Sequence, residues 1–489
     1  MFQPVKALQR TRTHLGRRHF IGLSVAALST APFFRMALAN AKTPFSQRFE
    51  QIKKTATKEQ LYAFLFDLPK GGDIHNHWDG SNFPEWWFDV ATNTNLNGGN
   101  EFYTRLDLDN CEGCGRPLQY LNLRKSAYQE LPECCQAQYK PLASLTSEEK
   151  QRWFSSLKLD QPGEGREEFF GSIFSRLGQF AETPELMAEL VVENMKQLGA
   201  EGVRYMETIV TPFDSRDRDG NPIAPEVVDS IYRQRLSQPD ALATGVTIRF
   251  QIFILRFLPD AEQQIERAYA FIVQHRDLWV GVNLVGDEAD ENGKPLRFLE
   301  TFKKLRQTYS GVELSIHAGE AVEPNDNVRN TLLLGATRIG HGVNLIADPE
   351  TMQVMRDNEY LVEIQLISNL LLQYTPDLAK HPFPEYLRFG IPVCLNTDDR
   401  GIFDSNITDE YYTAVTQFDL SWDDLVVLGQ NSLKYAFLEP AIKRKLLKDY
   451  AYRISRFARK YADDSWSRTL AEVKPITSGY SRKAFGIDV

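Results

Sequence analysis

Long hydrophobic runs are missing from this chain of 489 residues, and so is any excess of positive charge. No apolar stretch reaches the roughly 18–20 residues that a membrane-spanning helix needs. The chain has 56 Lys and Arg against 65 Asp and Glu, which gives a net charge of −9. A nucleic-acid surface would need clustered cations. We therefore expect neither stable membrane insertion nor a nucleic-acid partner.

Glycine-rich phosphate-binding motifs are absent too, because the sequence contains neither a G-x-G-x-x-G nor a Walker A pattern. Cysteine is scarce, at five residues, which excludes a disulfide-dense miniprotein. The hydrophobic fraction of 42% and the charged fraction of 25% are typical of a folded globular chain.

The N-terminal segment has the composition of an export signal. Residues 1–41 carry six basic residues and no acidic one. The pair Arg17-Arg18 precedes Phe20, an apolar stretch and the A-x-A spacing of Ala37 and Ala39. This order resembles a twin-arginine signal and predicts export to the periplasm. A basic, partly ordered helix is the alternative reading.

Beyond the signal, short β-branched runs alternate with helical patterns. Eight such runs predict a (β/α)₈ barrel, with an open doubly wound sheet as the alternative. We expect a helical extension at residues 42–70, then the barrel domain at 71–489. An inserted subdomain at about 95–165 follows the first strand over the barrel mouth, and helices follow from about residue 421. The predicted strands are Asp73–His77, Val203–Val210, Val246–Leu255, Trp279–Val285, Val312–His317, Thr337–Gly340, Tyr360–Gln365 and Ile391–Asn396.

Histidines and an aspartate stand where four of these strands end. His75 and His77 are two residues apart on an extended segment, so their side chains point to the same face. His317 and His341 end the fifth and sixth strands, and Asp398 follows the eighth. The carboxyl ends of barrel strands meet at one rim. Imidazoles and a carboxylate gathered there predict a zinc site, with one Zn²⁺ per chain.

Four segments carry a family resemblance. They are Gly72–Ser81 (GDIHNHWDGS), His317–Glu320 (HAGE), Gly340–Gly342 (GHG) and Asn396–Asp399 (NTDD). In this order they resemble the signatures of the adenosine deaminase family of metal-dependent amidohydrolases. The leader and the insertion are similar to the secreted growth-factor branch of that family.

The resemblance implies a role for each residue in removing the 6-amino group of adenosine, giving inosine and ammonia. His75, His77, His317 and Asp398 would hold the metal. Glu320, with a pKa raised by burial, would protonate the purine ring. His341 would orient the attacking water, and Asp399 would accept a proton or hydrogen bond from it. The implied substrate-binding residues are Asp79 at the ribose, Gly286 at the purine edge and Ser368.

Two positions depart from the family pattern. Gln365-Leu366 stand where the family usually has Cys-Pro or Ser-Pro, and Arg400 stands where it usually has Pro. Both border the expected pocket, so they bear on substrate preference. The cluster of Trp78, Phe83, Trp86 and Trp87 either walls that pocket or belongs to the core.

The remaining cysteine chemistry is open. Cys111, Cys114, Cys134 and Cys135 lie in the insertion and suit either two disulfides or a structural Cys₄ metal site. Cys394 lies in the eighth strand, where a buried thiol is expected.

We expect a zinc-dependent deaminase of adenosine and 2'-deoxyadenosine, with a small purine nucleoside as its partner. The alternatives are a deaminase of adenine or of a modified nucleoside, and a non-catalytic secreted binding or signalling protein. The sequence does not fix the oligomeric state, and a homodimer remains an option.

Overall fold

Eight parallel strands follow one another around a barrel. The computed structural model describes residues 44–488 apart from 110 and 322. The predicted export signal therefore lies outside the described residues. Each strand pairs with the next in chain order, which confirms the (β/α)₈ barrel and rules out an open doubly wound sheet. The barrel strands are Gly71–His77, Val203–Val210, Thr247–Leu255, Trp279–Val285, Glu313–Ala318, Arg338–His341, Leu361–Ile364 and Val393–Leu395.

The barrel closes through a short seam between its eighth and first strands. One parallel bridge joins Asn76 to Asp398. Two backbone hydrogen bonds reinforce it: the His77 amide donates to the Asp398 carbonyl at 3.2 Å, and the Asp398 amide donates to the His75 carbonyl at 3.0 Å. The seam therefore runs through three of the predicted site residues.

Helices surround the barrel and extend it at both ends. Two precede the first strand, Pro44–Thr55 and Lys58–Asp67. Those between the first two strands are Pro84–Ala91, Lys125–Gln129, Glu133–Gln136, Ser147–Ser155, Arg166–Glu168, Phe174–Leu177 and Pro184–Ala200. The later ones are Pro225–Leu236, Pro239–Ala243, Ala261–Gln274, Leu299–Thr308, Asn327–Leu334, Pro349–Asp357, Leu366–Leu371, Phe383–Phe389, Ile407–Phe418, Trp422–Lys434, Pro440–Lys460 and Trp466–Leu470. Over the described residues, none of these helices combines the length and the apolar character that crossing a bilayer requires.

The long connection after the first strand contains a small antiparallel sheet. Phe102–Arg105 pairs on one side with Asn122–Arg124 and on the other with Tyr139–Pro141. Two disulfides join Cys111 to Cys134 and Cys114 to Cys135 beside this sheet. Of the two options that the sequence left open, the structure has the disulfides.

The helix Lys58–Asp67 is fixed at both ends by side chains. Its first turn has a capping box formed by Thr57 and Gln60. At the other end, the fully buried Lys70 ammonium donates to the carbonyls of Leu65 at 2.6 Å and Phe66 at 3.2 Å. It also donates to the Glu201 carbonyl at 2.6 Å, which ties the helix to the start of the second strand. Lys70 thus satisfies carbonyls that the helix end would leave without partners.

We predict that Lys70→Met lowers the free energy of unfolding by about 2–4 kcal/mol, because it strands several buried carbonyls. Chemical denaturation measures this loss. The matched control is Lys54→Met, since Lys54 is exposed, and it should change stability by less than about 0.5 kcal/mol. Equal stability of the two variants would contradict the capping role of Lys70.

Candidate active site

The predicted metal ligands converge at the carboxyl ends of the strands. His317 Nε2 lies 3.0 Å from His75 Nε2 and 3.1 Å from His77 Nε2. Asp398 Oδ1 lies 3.3 Å from His75 Nε2 and 3.2 Å from His77 Nε2. Four potential ligand atoms from the first, fifth and eighth strands therefore surround one point.

Outer hydrogen bonds orient two of these imidazoles. His75 Nδ1 lies 2.6 Å from Glu363 Oε2, and a carboxylate can only accept, so His75 donates from Nδ1. His317 Nδ1 likewise lies 2.8 Å from Asn283 Oδ1. With the proton on Nδ1, each ring turns the lone pair of Nε2 toward the other ligands. Such outer partners are typical of metal-binding histidines.

The donor set fits a tetrahedral zinc ion. Ligand atoms about 2.0–2.2 Å from a tetrahedral zinc lie roughly 3.3–3.5 Å from one another, close to the separations above. Asp398 Oδ1 is buried and has no hydrogen-bond partner among the described residues. Facing lone pairs and an unpartnered carboxylate oxygen would repel one another unless a cation lay between them.

His341 and Asp398 complete the cluster with unusual backbone conformations. Their φ angles are +64° and +55°, in the left-handed region that L-residues rarely adopt. His341 Nε2 lies 3.9 Å from Asp398 Oδ2 and 3.4 Å from Glu320 Oε1. One donor atom of each of His75, His317, His341 and Asp398 falls within 4.8 Å of the others, as it does for His77, Asp79 and Asp399. Distance alone therefore leaves His341 as an alternative fourth ligand to His77.

Burial raises the pKa of two carboxyl groups beside the cluster. It raises the pKa of Glu320 well above its usual range, and the nearby charge of Asp398 adds to that rise. Burial also raises the pKa of Asp399, again reinforced by Asp398. The direction of the Glu320 shift favours the protonated form that its implied role as a proton donor requires.

A second glutamate holds Glu320 in place. The Glu288 carboxylate accepts from the amides of Gly319 at 2.9 Å and Glu320 at 2.7 Å. It also accepts from Asn327 Nδ2 at 2.7 Å. The turn that carries Glu320 is therefore fixed by the buried side chain of Glu288 on the preceding connection.

A cavity of about 410 Å³ opens onto these groups. That volume lies within the roughly 300–1,000 Å³ of small-molecule sites. Aromatic and aliphatic side chains form much of its wall, and no Lys or Arg is among the described residues that line it. The lining residues are His77, Asp79, Phe169, Phe170, Phe174, Ser175, Phe253, Leu255, Phe257, Val285, Gly286, His317, Glu320, His341, Asp398 and Asp399.

Several residues singled out in the sequence lie elsewhere. Ser368 is fully buried and is not among the lining residues. Arg400 is also absent from the lining residues, and it donates from Nη2 to Glu201 Oε1 at 3.0 Å, both side chains being fully buried. Gln365 is also buried outside the lining. The expectation that Arg400 and Gln365 border the pocket is therefore wrong.

The aromatic wall comes from unexpected segments. Trp78 and Trp87 pack in the core, whereas Phe169, Phe170 and Phe174 line the cavity. These phenylalanines lie in and directly after a π-helical turn, Phe169–Ile173, which has no amphipathic period in the sequence. The sequence analysis assigns no role to Glu363 and Asn283, although each is a polar residue within a largely apolar strand.

Comparison with known proteins identifies the relatives of this chain. The family model described as adenosine deaminase matches residues 148–452. The chain belongs to the adenosine deaminase family. An adenosine deaminase of Pseudoalteromonas translucida is 31% identical over 261 residues, which are 53% of this chain and 75% of the relative. Membership makes the chain a hydrolytic deaminase, whereas its place in the secreted growth-factor branch stays a prediction.

Solved structures show the same fold at lower identity. The adenine deaminase of Arthrobacter aurescens is 20% identical, with a TM-score of 0.58, covering 79% of this chain and 99% of that one. A zinc-bound amidohydrolase of B. ambifaria is 19% identical, with a TM-score of 0.60, covering 83% and 95% of the two chains.

We predict that Asn283→Leu weakens metal binding about 10- to 100-fold, because His317 loses the acceptor that fixes its ring. Competition with a chromophoric chelator measures the affinity. Asn431→Leu is the matched control, since the Asn431 side chain donates to the Val393 carbonyl at 2.9 Å and, among the described residues, to no histidine of the site. Unchanged affinity in Asn283→Leu would show that this hydrogen bond does not orient the ligand.

Proposed function

We propose that the protein is a zinc-dependent deaminase of adenosine and 2'-deoxyadenosine, producing inosine or deoxyinosine and ammonia. The observation that carries the proposal is the meeting of His75, His77, His317 and Asp398 beside Glu320 at one cavity. Zinc is favoured by the nitrogen-rich donor set, and the B. ambifaria neighbour contains it.

The proposed holding residues are His75, His77, His317 and Asp398. A bound zinc ion supplies Lewis acidity that makes water a nucleophile near neutral pH. Glu320 donates its proton to purine N1, which lets carbon 6 accept water without placing a negative charge on the ring. Asp399 accepts a proton from the attacking water. That proton passes to the 6-amino group, which leaves as ammonia as its bond to carbon 6 breaks. The proton remaining on the new hydroxyl returns to Glu320 as the oxygen becomes the carbonyl of inosine.

His341 stands on the same side of the cavity as Glu320. We assign it the task of donating a hydrogen bond to the attacking oxygen, where negative charge grows in the transition state. Because His341 is buried, this interaction is stronger than it would be in solution.

The cavity wall favours a neutral substrate. Asp79 and Gly286 both line the cavity. We assign Asp79 to accept hydrogen bonds from ribose hydroxyls and the Gly286 backbone to contact the purine edge. Gly286 has φ +97°, and a Cβ there would collide with the Phe257 ring, so another residue would narrow the pocket. No cation among the described lining residues is available for a phosphate, which disfavours AMP.

We also propose export through the twin-arginine route. The support is the order of Arg17-Arg18, apolar stretch and A-x-A spacing in the sequence. Transport in the folded state would allow the metal to be loaded before export.

The decisive experiment is an absorbance assay on adenosine, paired with elemental analysis. We expect turnover, about one zinc per chain, and loss of both after chelation with recovery on adding zinc. Activity on AMP should be lower by about 10²-fold or more in kcat/KM, because its phosphate would be left without a partner.

The same assay separates the alternatives. Preference for adenine over adenosine would replace the nucleoside by the free base. A metal-loaded protein without turnover on any aminopurine would instead support the binding or signalling alternative.

We predict that Glu320→Gln retains zinc but loses about 10²–10⁴-fold in kcat, the usual contribution of a general acid. Initial rates and metal content are measured on the same preparation. Glu323→Gln, at an exposed position three residues further on, is the control and should behave as the unmodified enzyme. Wild-type turnover in Glu320→Gln would refute the proton-donor role.

A further inference from the structure

A buried histidine outside the ligand cluster is connected to His341 through an asparagine. His381 is 3% exposed and lies just before the helix Phe383–Phe389. Its Nε2 is 3.1 Å from Asn369 Oδ1. Asn369 Nδ2 in turn is 3.0 Å from His341 Nδ1. Neither Asn369 nor His381 lines the cavity, so neither touches a substrate there.

The direction of every hydrogen bond in this chain follows from one backbone amide. The Phe383 N–H lies 3.1 Å from His381 Nδ1 and can only donate, so Nδ1 accepts. A neutral imidazole has one proton, which must then be on Nε2 and is donated to Asn369 Oδ1. The asparagine amide therefore presents its NH₂ group to His341 Nδ1. His341 must accept there and carry its own proton on Nε2.

These hydrogen bonds require both rings to be neutral, because the Nδ1 atom of each ring accepts. Burial also favours the neutral ring of His381, since it lowers the pKa of His381 to about 3.

His341 is thus the opposite tautomer to the ligand histidines His75 and His317. His75 and His317 donate from Nδ1 and present lone pairs at Nε2. His341 presents an N–H at Nε2 instead, and this buried atom has no hydrogen-bond partner among the described residues. An N–H cannot bind a metal, but it can donate to a substrate oxygen. This resolves which of His77 and His341 is the fourth ligand, in favour of His77.

We propose that His381 and Asn369 are positioning residues that fix His341 as a hydrogen-bond donor to the attacking oxygen and exclude it from the metal ligands. The inference rests on the proposed function for the oxygen that His341 meets. The tautomer of His341 does not depend on the identity of the substrate.

The first test is NMR of the zinc-loaded, ¹⁵N-histidine-labelled full chain, with His341→Gln used to assign the signal. Two-bond ¹H–¹⁵N correlations distinguish the two neutral tautomers of each ring. We expect a proton on Nε2 in His341 and on Nδ1 in His75 and His317. A proton on Nδ1 of His341, or its coordination to zinc, overturns the proposal whether or not adenosine is the substrate.

The second test is a set of variants along the chain of bonds. Asn369→Leu should lower kcat by about 10²-fold, the effect of losing one transition-state donor, while KM changes less than about threefold and zinc is retained. His381→Phe should lower kcat in the same way. His381→Gln, which keeps an N–H donor, should restore most of it.

The control is Asn431→Leu, the same substitution far from this chain of bonds, which should keep wild-type kcat and an Nε2–H signal at His341. Equal kcat in His381→Phe and His381→Gln, with an unchanged His341 signal in both, would overturn the positioning role. If no purine is turned over by the wild type, the proposed function fails. The NMR result still decides which tautomer His341 adopts.

Discussion

A buried carboxylate, Glu363, is the group on which the site depends. It accepts from His75 Nδ1 at 2.6 Å and from Ser315 Oγ at 2.8 Å, and it pairs with Arg338 Nε. Removing a lone anion from water costs several kcal/mol, so Glu363 stays charged only because Arg338 is buried beside it. Burial opposes its charge, but Arg338 and His75 together bring the pKa of Glu363 to about 2.

This ion pair connects the bottom of the barrel to its reactive rim. Arg338 also donates to Glu207 Oε2 at 2.8 Å and to the Ile74 carbonyl at 2.9 Å. Glu207 is on the second strand and Ile74 adjoins His75, so one guanidinium spans the barrel interior beneath the ligands. The planar, multidentate geometry of arginine suits this place better than a lysine would. The orientation of His75 is thereby set by strands two, six and seven at once.

Much of this arrangement was predictable from the sequence, because it follows from strand periodicity. His75 and His77 share a face by their spacing of two, and parallel barrel strands bring His317 and Asp398 to the same rim. Glu363 could also have been found, since a charged residue between Val362 and Ile364 needs a buried partner.

Other parts could not be predicted, because they depend on loops. The phenylalanines of the cavity wall lie around an irregular π-helical turn, and no periodic pattern marks them. The direction of Arg400 depends on Glu201, which lies 199 residues earlier in the chain. The contact of His381 with Asn369 depends on how the chain returns between two helices, which local propensity does not determine.

The position of the barrel seam gives the proposed metal site a structural role besides its catalytic one. A single bridge joins the first strand to the eighth, and the proposed ligands stand on both sides of it: His75 and His77 on one, Asp398 on the other. An ion held between them would link the first and eighth strands, which few hydrogen bonds otherwise join. Since a ligand that binds only the folded state adds its binding free energy to that state, cofactor and architecture would be thermodynamically linked. Loss of the metal would then weaken the closure of the barrel as well as abolish the reaction.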